Sequence, residues 1–255
     1  MEKSKLPVTF NKNYKPRPTL LRDRIVLVTG AGDGIGRSCA KAFAKHGATV
    51  ILLGRTVRKL ERVYDDINST GGPQPAIYPM DLLGAKASDY HDLACRILRE
   101  YGRIDGIVHN AALLGALMPI EHYDLKMWSE VIHVNLTAPM MLTQACLSLL
   151  RLSQDASVIF TSSGVGRQGR AYWGAYAVSK FATEGFMQVL ADETDNSAIR
   201  VNCINPGAVR TRMRASAYPA ENPQSLISPD EVMNPYLYLM GPDSNAISGT
   251  SIDAQ

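Results

Sequence analysis

Six short apolar runs, each followed by a longer segment with helical spacing, set the narrowest limit on what this chain can fold into. The runs are Ile25–Thr29, Thr49–Leu53, Ala76–Met80, Gly106–His109, Ser157–Thr161 and Arg200–Ile204, with a seventh expected near Thr250–Ile252. They are almost continuous in apolar residues, as strands covered on both faces must be. In the first intervening segment Ile35, Cys39, Ala42 and Phe43 share one helix face, and Gly47 stops it. Further helices are predicted over Val57–Ser69, Ala85–Glu100, Leu125–Leu150, Trp173–Thr194 and Asp230–Met240. Strand and helix alternating with right-handed crossovers give a doubly wound α/β domain: a parallel sheet of about seven strands with helices on both faces. One such domain fills 21–255. Residues 1–20 are basic and broken by Pro7, Pro16 and Pro18, and read as an irregular arm, solvated or partner-binding.

Composition narrows the function by exclusion. The net charge of +3 is small and dispersed, which argues against nucleic acid. Cys39, Cys95, Cys146 and Cys203 form no CxxC pair and have no histidine at ligand spacing, so no metal site is expected. Free thiols suit a reducing, cytoplasmic setting. There is no signal peptide and no apolar stretch of roughly 18 residues, so no membrane span is expected.

Thr29–Gly36 reads TGAGDGIG, directly after the first strand. Gly30, Gly34 and Gly36 let the chain turn tightly and bring a bare helix N-terminus up to a phosphate. A structural glycine turn is the other reading, since the literal GxGxxG spacing is absent. Farther on, Tyr176 and Lys180 lie four apart in a helical segment, which puts both on one face. An ammonium one turn away should lower a phenol that otherwise titrates near pH 10, suiting it to acid–base work. Ser163 ends TSS after the fifth run, thirteen residues before Tyr176, with Ser162 as its competitor. Asn135 lies in HVNLTAP, four residues before Pro139. Proline has no N–H, so the Asn135 carbonyl cannot take its regular helical bond and should be open to water.

These motifs, in this order over about residues 22 to 255, resemble the short-chain dehydrogenase/reductase family, a single-domain Rossmann-type fold. LLGR, TSSGVGRQGRAYWGAYAVSKFATEG and RVNCINPGAVRTRMRASAYP are similar to its YciK-like bacterial subgroup. The resemblance implies that Asn135, Ser163, Tyr176 and Lys180 are catalytic, with Tyr176 as the acid, Ser163 holding the substrate oxygen and Lys180 tuning Tyr176. The Asn135 carbonyl would hold a water linked to the lysine. It also implies a dinucleotide held by Gly30, Gly32, Asp33, Gly34, Ile35 and Gly36, by Asp81 and Leu82, by Asn110, Ala111 and Ala112, by Tyr176 and Lys180, and by Pro206, Gly207, Val209 and Thr211. Ala112 stands where the family has glycine. At the end of the second strand Gly54 replaces the acid that would bind NAD ribose, and Arg55 follows, so NADP is expected over NAD. Asp33 works against that preference.

The implied reaction is hydride transfer between NADP(H) and a carbonyl or alcohol. Arg167, Arg170, Arg212 and Arg214 either meet an acidic substrate or are solvated or intersubunit. Leu113, Leu114, Trp173 and Met213 line an apolar pocket or belong to the core. Self-association as dimer or tetramer would use Leu125–Leu150 and Trp173–Thr194. A non-catalytic NADP-sensing regulator is the rival class, and it has no use for the four catalytic residues together. An epimerase or dehydratase would need a larger substrate domain after residue 200.

Overall fold

The computed structural model describes residues 10–255. The chain order is β1 (Ile25–Thr29), α1 (Gly34–Lys45), β2 (Thr49–Gly54), α2 (Val57–Ser69), β3 (Ala76–Pro79), α3 (Ala87–Tyr101) and β4 (Gly106–His109). It continues with α4 (Leu125–Ile132), α5 (Ala138–Leu150), β5 (Ala156–Thr161), α6 (Gly174–Glu193), β6 (Ile199–Asn205), α7 (Arg212–Ala217), α8 (Met233–Met240) and β7 (Thr250–Asp253). All seven strands are parallel, in the order β3-β2-β1-β4-β5-β6-β7. The order reverses between β1 and β4, where such sheets open a crevice at their carboxyl ends.

Alternate residues of each strand enter opposite cores. Val26, Val28, Val50, Leu52 and Val108 pack in the layer of α1, α2 and α8. Leu27, Ile51, Leu53, Ile107 and Phe160 pack in the layer of α3, α5 and α6. Both sets must be apolar, and this is why the runs show no alternation.

At the opposite, amino-terminal edge the strands are tied by charge. Arg24 donates to Asp155 at 2.7 Å, and the Arg200 Nε and Nη2 atoms reach the other carboxylate oxygen at 3.1 and 3.0 Å. Burial opposes charge on Asp155, but Arg200 and Arg24 outweigh it and hold its carboxyl below the usual range.

Three elements differ from the sequence-based expectations. The segment Leu125–Leu150 is not one α-helix: between α4 and α5 it widens into a π-helical turn, His133–Thr137, with Ala138 N–H bonded to the His133 carbonyl. Pro139 lies just beyond and cannot donate to Asn135, which accounts for the register change. The segment expected to start at Asp230 opens as a 3-10 turn, Pro229–Val232, before α8. The short α7 was not expected. Of the arm, residues 1–9 lie outside the described residues. From residue 10 the chain has no helix or strand before β1 and is mostly exposed, but it is anchored: Phe10 and Tyr14 pack on Tyr238 at 5.6 and 5.1 Å, and Tyr14 donates to Asp243 at 2.8 Å. These aromatic contacts tie a largely exposed, irregular arm to the domain at Phe10 and Tyr14.

Asp155→Ala leaves two guanidinium groups without their shared partner. It should cost about 2 kcal/mol, less than a fully buried pair because the Asp155 side chain keeps 24% exposure. Melting by circular dichroism should fall by roughly 4–8 °C at pH 7. The folded carboxyl is depressed, so its contribution is present above the normal carboxylate range and disappears as pH falls through the folded value. The gap between the two proteins should therefore close in acid.

Candidate active site

A cleft of about 540 Å³ opens at the carboxyl ends of β1, β4, β5 and β6. Gly30, Gly32, Asp33, Gly34 and Ile35 line one end, with Arg55, Asp81, Leu82, Asn110, Ala111 and Ala112 beside them. Ser163, Tyr176 and Lys180 line the other, and Pro206, Gly207, Val209 and Thr211 cross between. Of the catalytic and cofactor residues expected from sequence, only Gly36 and Asn135 stand behind the lining.

The glycine turn is held by packing. A Cβ on Gly36 would lie 2.3 Å from the Gly30 carbonyl oxygen, so α1 can start under the turn only with glycine there. A Cβ on Gly32 would lie 2.8 Å from the Lys59 Cβ, so α2 closes on the turn for the same reason. Thr29 fastens the next loop: its hydroxyl accepts from Asn110 N at 3.0 Å and Ala111 N at 3.1 Å. The Thr211 hydroxyl caps α7, accepting from Arg214 N at 3.1 Å.

Electrostatics differ along the rim. Arg55 is exposed and holds no ion pair or hydrogen bond among the described residues. Asp33 caps α1 through Gly34 N at 2.9 Å and pairs with Lys59 at 2.5 Å and Arg212 at 3.5 Å. Burial works against its charge, and the bonds from Lys59 and Gly34 outweigh it.

At the other end α6 carries Tyr176 and Lys180 with the ammonium 5.6 Å from the phenol ring centre. The Ser163 hydroxyl faces the Tyr176 hydroxyl and favours its ionised form. Ser162, its competitor, is 2% exposed and its hydroxyl oxygen has no partner among the described residues. Lys180 is buried and donates to the Thr161 carbonyl at 2.6 Å. Burial pulls its pKa down to about 8, with Glu184 one turn on opposing.

Tyr176 corrects an expectation. Its pKa is not lowered: burial pushes it up to about 12, and the Ser163 hydroxyl is the opposing influence. The ammonium sits over the ring and spends its short bond on Thr161, so it does not offset the phenol's lost hydration.

Behind the lining, Asn135 acts through its side chain as a clamp. Its Oδ1 accepts from Leu113 N at 2.7 Å, and its Nδ2 donates to Leu113 O and Ser179 Oγ, each at 2.9 Å. Its carbonyl accepts from Thr183 Oγ1 at 3.4 Å. Lys59, Ser179, Thr183 and Glu184 escaped the sequence reading. Helical spacing was the available signal, since Ser179, Thr183 and Glu184 lie three to eight residues after Tyr176. Of the arginines offered for an acidic substrate, Arg167 is committed to Asp253 at 2.8 Å and Ser251 at 2.6 Å, and Arg214 to Glu221. Arg170 is exposed and does not line the cleft.

A glycine turn at the first switch of a doubly wound sheet, facing a tyrosine and lysine one turn apart, defines a dinucleotide-type cleft. A family model for short chain dehydrogenases matches residues 24–222, and the chain belongs to that family. It is 54% identical over 243 residues to YciK, an uncharacterized oxidoreductase of Escherichia coli K12, covering 95% of this chain and 96% of the relative. A solved short chain dehydrogenase from Shigella flexneri 2a, complexed with NADP, is 54% identical, with 94% and 100% coverage and a TM-score of 0.92. Another from Escherichia coli CFT073, complexed with NADPH, is 55% identical, with 94% and 100% coverage and a TM-score of 0.92.

Lys180→Met should stabilise the protein. The folded pKa of about 8 lies below the free lysine's 10.5, so stability is reduced below pH 8 and recovers as pH rises to about 10.5. The cost below pH 8 is about 3 kcal/mol, and losing the Thr161 bond returns about 1. Melting at pH 7 should rise by roughly 3–8 °C. A fall in melting temperature would contradict this.

Proposed function

We propose that this oxidoreductase transfers hydride between NADP(H) and a carbonyl or alcohol carbon, with Tyr176 as general acid and base. The observation that carries the reading is the joining of two chemistries in one cleft. A glycine turn with an unpaired Arg55 lies at one end, and Ser163, Tyr176 and a buried Lys180 at the other. NADP fits the residues present: Gly54 takes the place of an acid, Arg55 has a free guanidinium, and the Asp33 charge is matched by Lys59 and Arg212. The two relatives bound to NADP and NADPH support the same preference.

When bound, the cofactor supplies or accepts the hydride. In reduction Tyr176 gives its hydroxyl proton to the substrate oxygen. A phenol held near pKa 12 is fully protonated at neutral pH, which suits it to that direction. The Ser163 hydroxyl donates to the same oxygen as charge develops. The Lys180 ammonium, 5.6 Å from the Tyr176 ring centre, would hold the cofactor's ribose. The Asn135 carbonyl, which Pro139 cannot bond and which takes only a long bond from Thr183 Oγ1 at 3.4 Å, would end the path by which Tyr176 regains its proton. A cytoplasmic setting fits the four free cysteines. No helix among the described residues is long and apolar enough to cross a membrane.

Two measurements test this reading. Fluorescence titration should show NADPH binding tighter than NADH, with Arg55→Ala weakening NADPH by about 10- to 100-fold. Equal affinity for the two would refute the cofactor assignment. In an NADPH-consumption screen over carbonyl compounds, Tyr176→Phe should lose at least about 100-fold in kcat while still binding NADPH. In the same assay Pro139→Ala should lower kcat several-fold, and unchanged turnover would remove Pro139 and Asn135 from the proton path.

Self-association is proposed through the outer faces of α5 and α6. Val178, Phe181 and Val189 follow one stripe of α6 at 45%, 46% and 56% exposure, and Met140 on α5 is also exposed. Phe181→Arg should convert the oligomer to monomer in light scattering. A wild-type protein already monomeric would end the proposal.

A further inference from the structure

The substrate end of the cleft, beyond Ser163 and Tyr176, is apolar and aromatic. Leu114, Trp173, Met213 and Ala217 line it. The Trp173 ring stands 5.7 Å from that of Tyr176 and 5.9 Å from that of Tyr218, tilted by about 50° to each. Such a wall offers a ring face to a flat partner.

One cation reaches this end, and it is already matched. The Arg214 Nε and Nη2 atoms donate to the two Glu221 carboxylate oxygens at 2.6 Å each, a forked pair. The same guanidinium lies 3.8 Å over the Tyr218 ring. Three contacts thus fix it from two sides, and it presents its charge with a counter-charge attached. The other charges on the rim lie at the glycine-turn end, where Asp33 takes Lys59 and Arg212.

A carboxylate entering beside Trp173 would lose hydration without gaining a free cation. To recruit Arg214 it would have to displace Glu221, leaving that acid beside the intruder. A neutral ring meets no such cost. From this geometry we infer that the pocket takes uncharged carbonyl compounds with a planar apolar body, and that Glu221 excludes anionic ones by masking Arg214. The inference rests on the proposed reaction for the word carbonyl, and on the cleft alone for the charge and shape.

The probes are methyl 4-acetylbenzoate and 4-acetylbenzoate, which share a ring and ketone and differ in charge. Binding is measured by titration calorimetry with saturating NADP+, and turnover by NADPH consumption. Wild type should bind the ester at least tenfold tighter than the acid. Glu221→Gln, in an exposed loop, should bring the acid within about twofold of the ester by improving acid binding. Arg214→Met/Glu221→Gln should restore the discrimination, because the cation is gone. The inference is overturned if wild type binds the acid as tightly as the ester, if it binds neither, or if Glu221→Gln leaves the ratio unchanged. Its failure is separable from that of the reaction. Discrimination in binding without turnover leaves the pocket assignment standing and refutes the hydride-transfer reading for these ketones. Turnover of both probes without discrimination does the reverse.

Discussion

Seven parallel strands with both faces covered leave polar chemistry only the strand ends. The side chains of Val26, Leu27 and Val28, and of Val158, Ile159 and Phe160, each enter one of two apolar cores. Groups that need water or ligand are therefore expelled to the sheet edges. The amino edge is filled by matched ions around Asp155 and Asp105, which bind β1, β4, β5 and β6 together. The carboxyl edge opens at the switch between β1 and β4, and the cleft lies there.

The working end of that cleft is built on a helix that is locked from behind. Ser179 receives the Asn135 amide and donates to the Tyr176 carbonyl at 2.7 Å, so the π-helical turn and α6 are fixed to each other within the core. This lets the fold hold Lys180 in a place where an ammonium is unfavourable. The site carries a strained charge and a phenol with a raised pKa, and both burdens are borne by packing far larger than either.

Along the cleft, charge is distributed unevenly. The glycine-turn end keeps Arg55 unpaired, where a phosphate would find it. The far end closes Arg214 against Glu221 and presents aromatic rings. A single groove thus has an unpaired cation at one end and aromatic rings with a matched ion pair at the other, with the hydroxyls of Ser163 and Tyr176 between them.

Most of this was legible in the sequence because it depends on local spacing. Apolar runs specified the strands and their burial. The glycine turn, the Tyr176–Lys180 interval and the strand-end Ser163 marked what now stands around one cleft, and Arg55 stood out as a cation just after Gly54, where an acid would bind ribose. Pro139 signalled a break in the hydrogen-bond ladder, though not that the helix would widen to absorb it. What spacing could not supply was anything decided by desolvation or by partners distant in the chain. The sign of the Tyr176 shift reversed because burial, which no local pattern measures, outweighs an ammonium that faces the ring. Phe10 is buried and Tyr14 half-buried because Tyr238 and Asp243 meet them from more than two hundred residues away. Arg214 and Arg167 looked available to an acidic ligand until the fold gave them Glu221 and Asp253. The sequence by itself determined the layers, the crevice and the kinds of groups that gather there. Only the tertiary structure decided which charges remain free, because a charge is free or matched according to its neighbours in space.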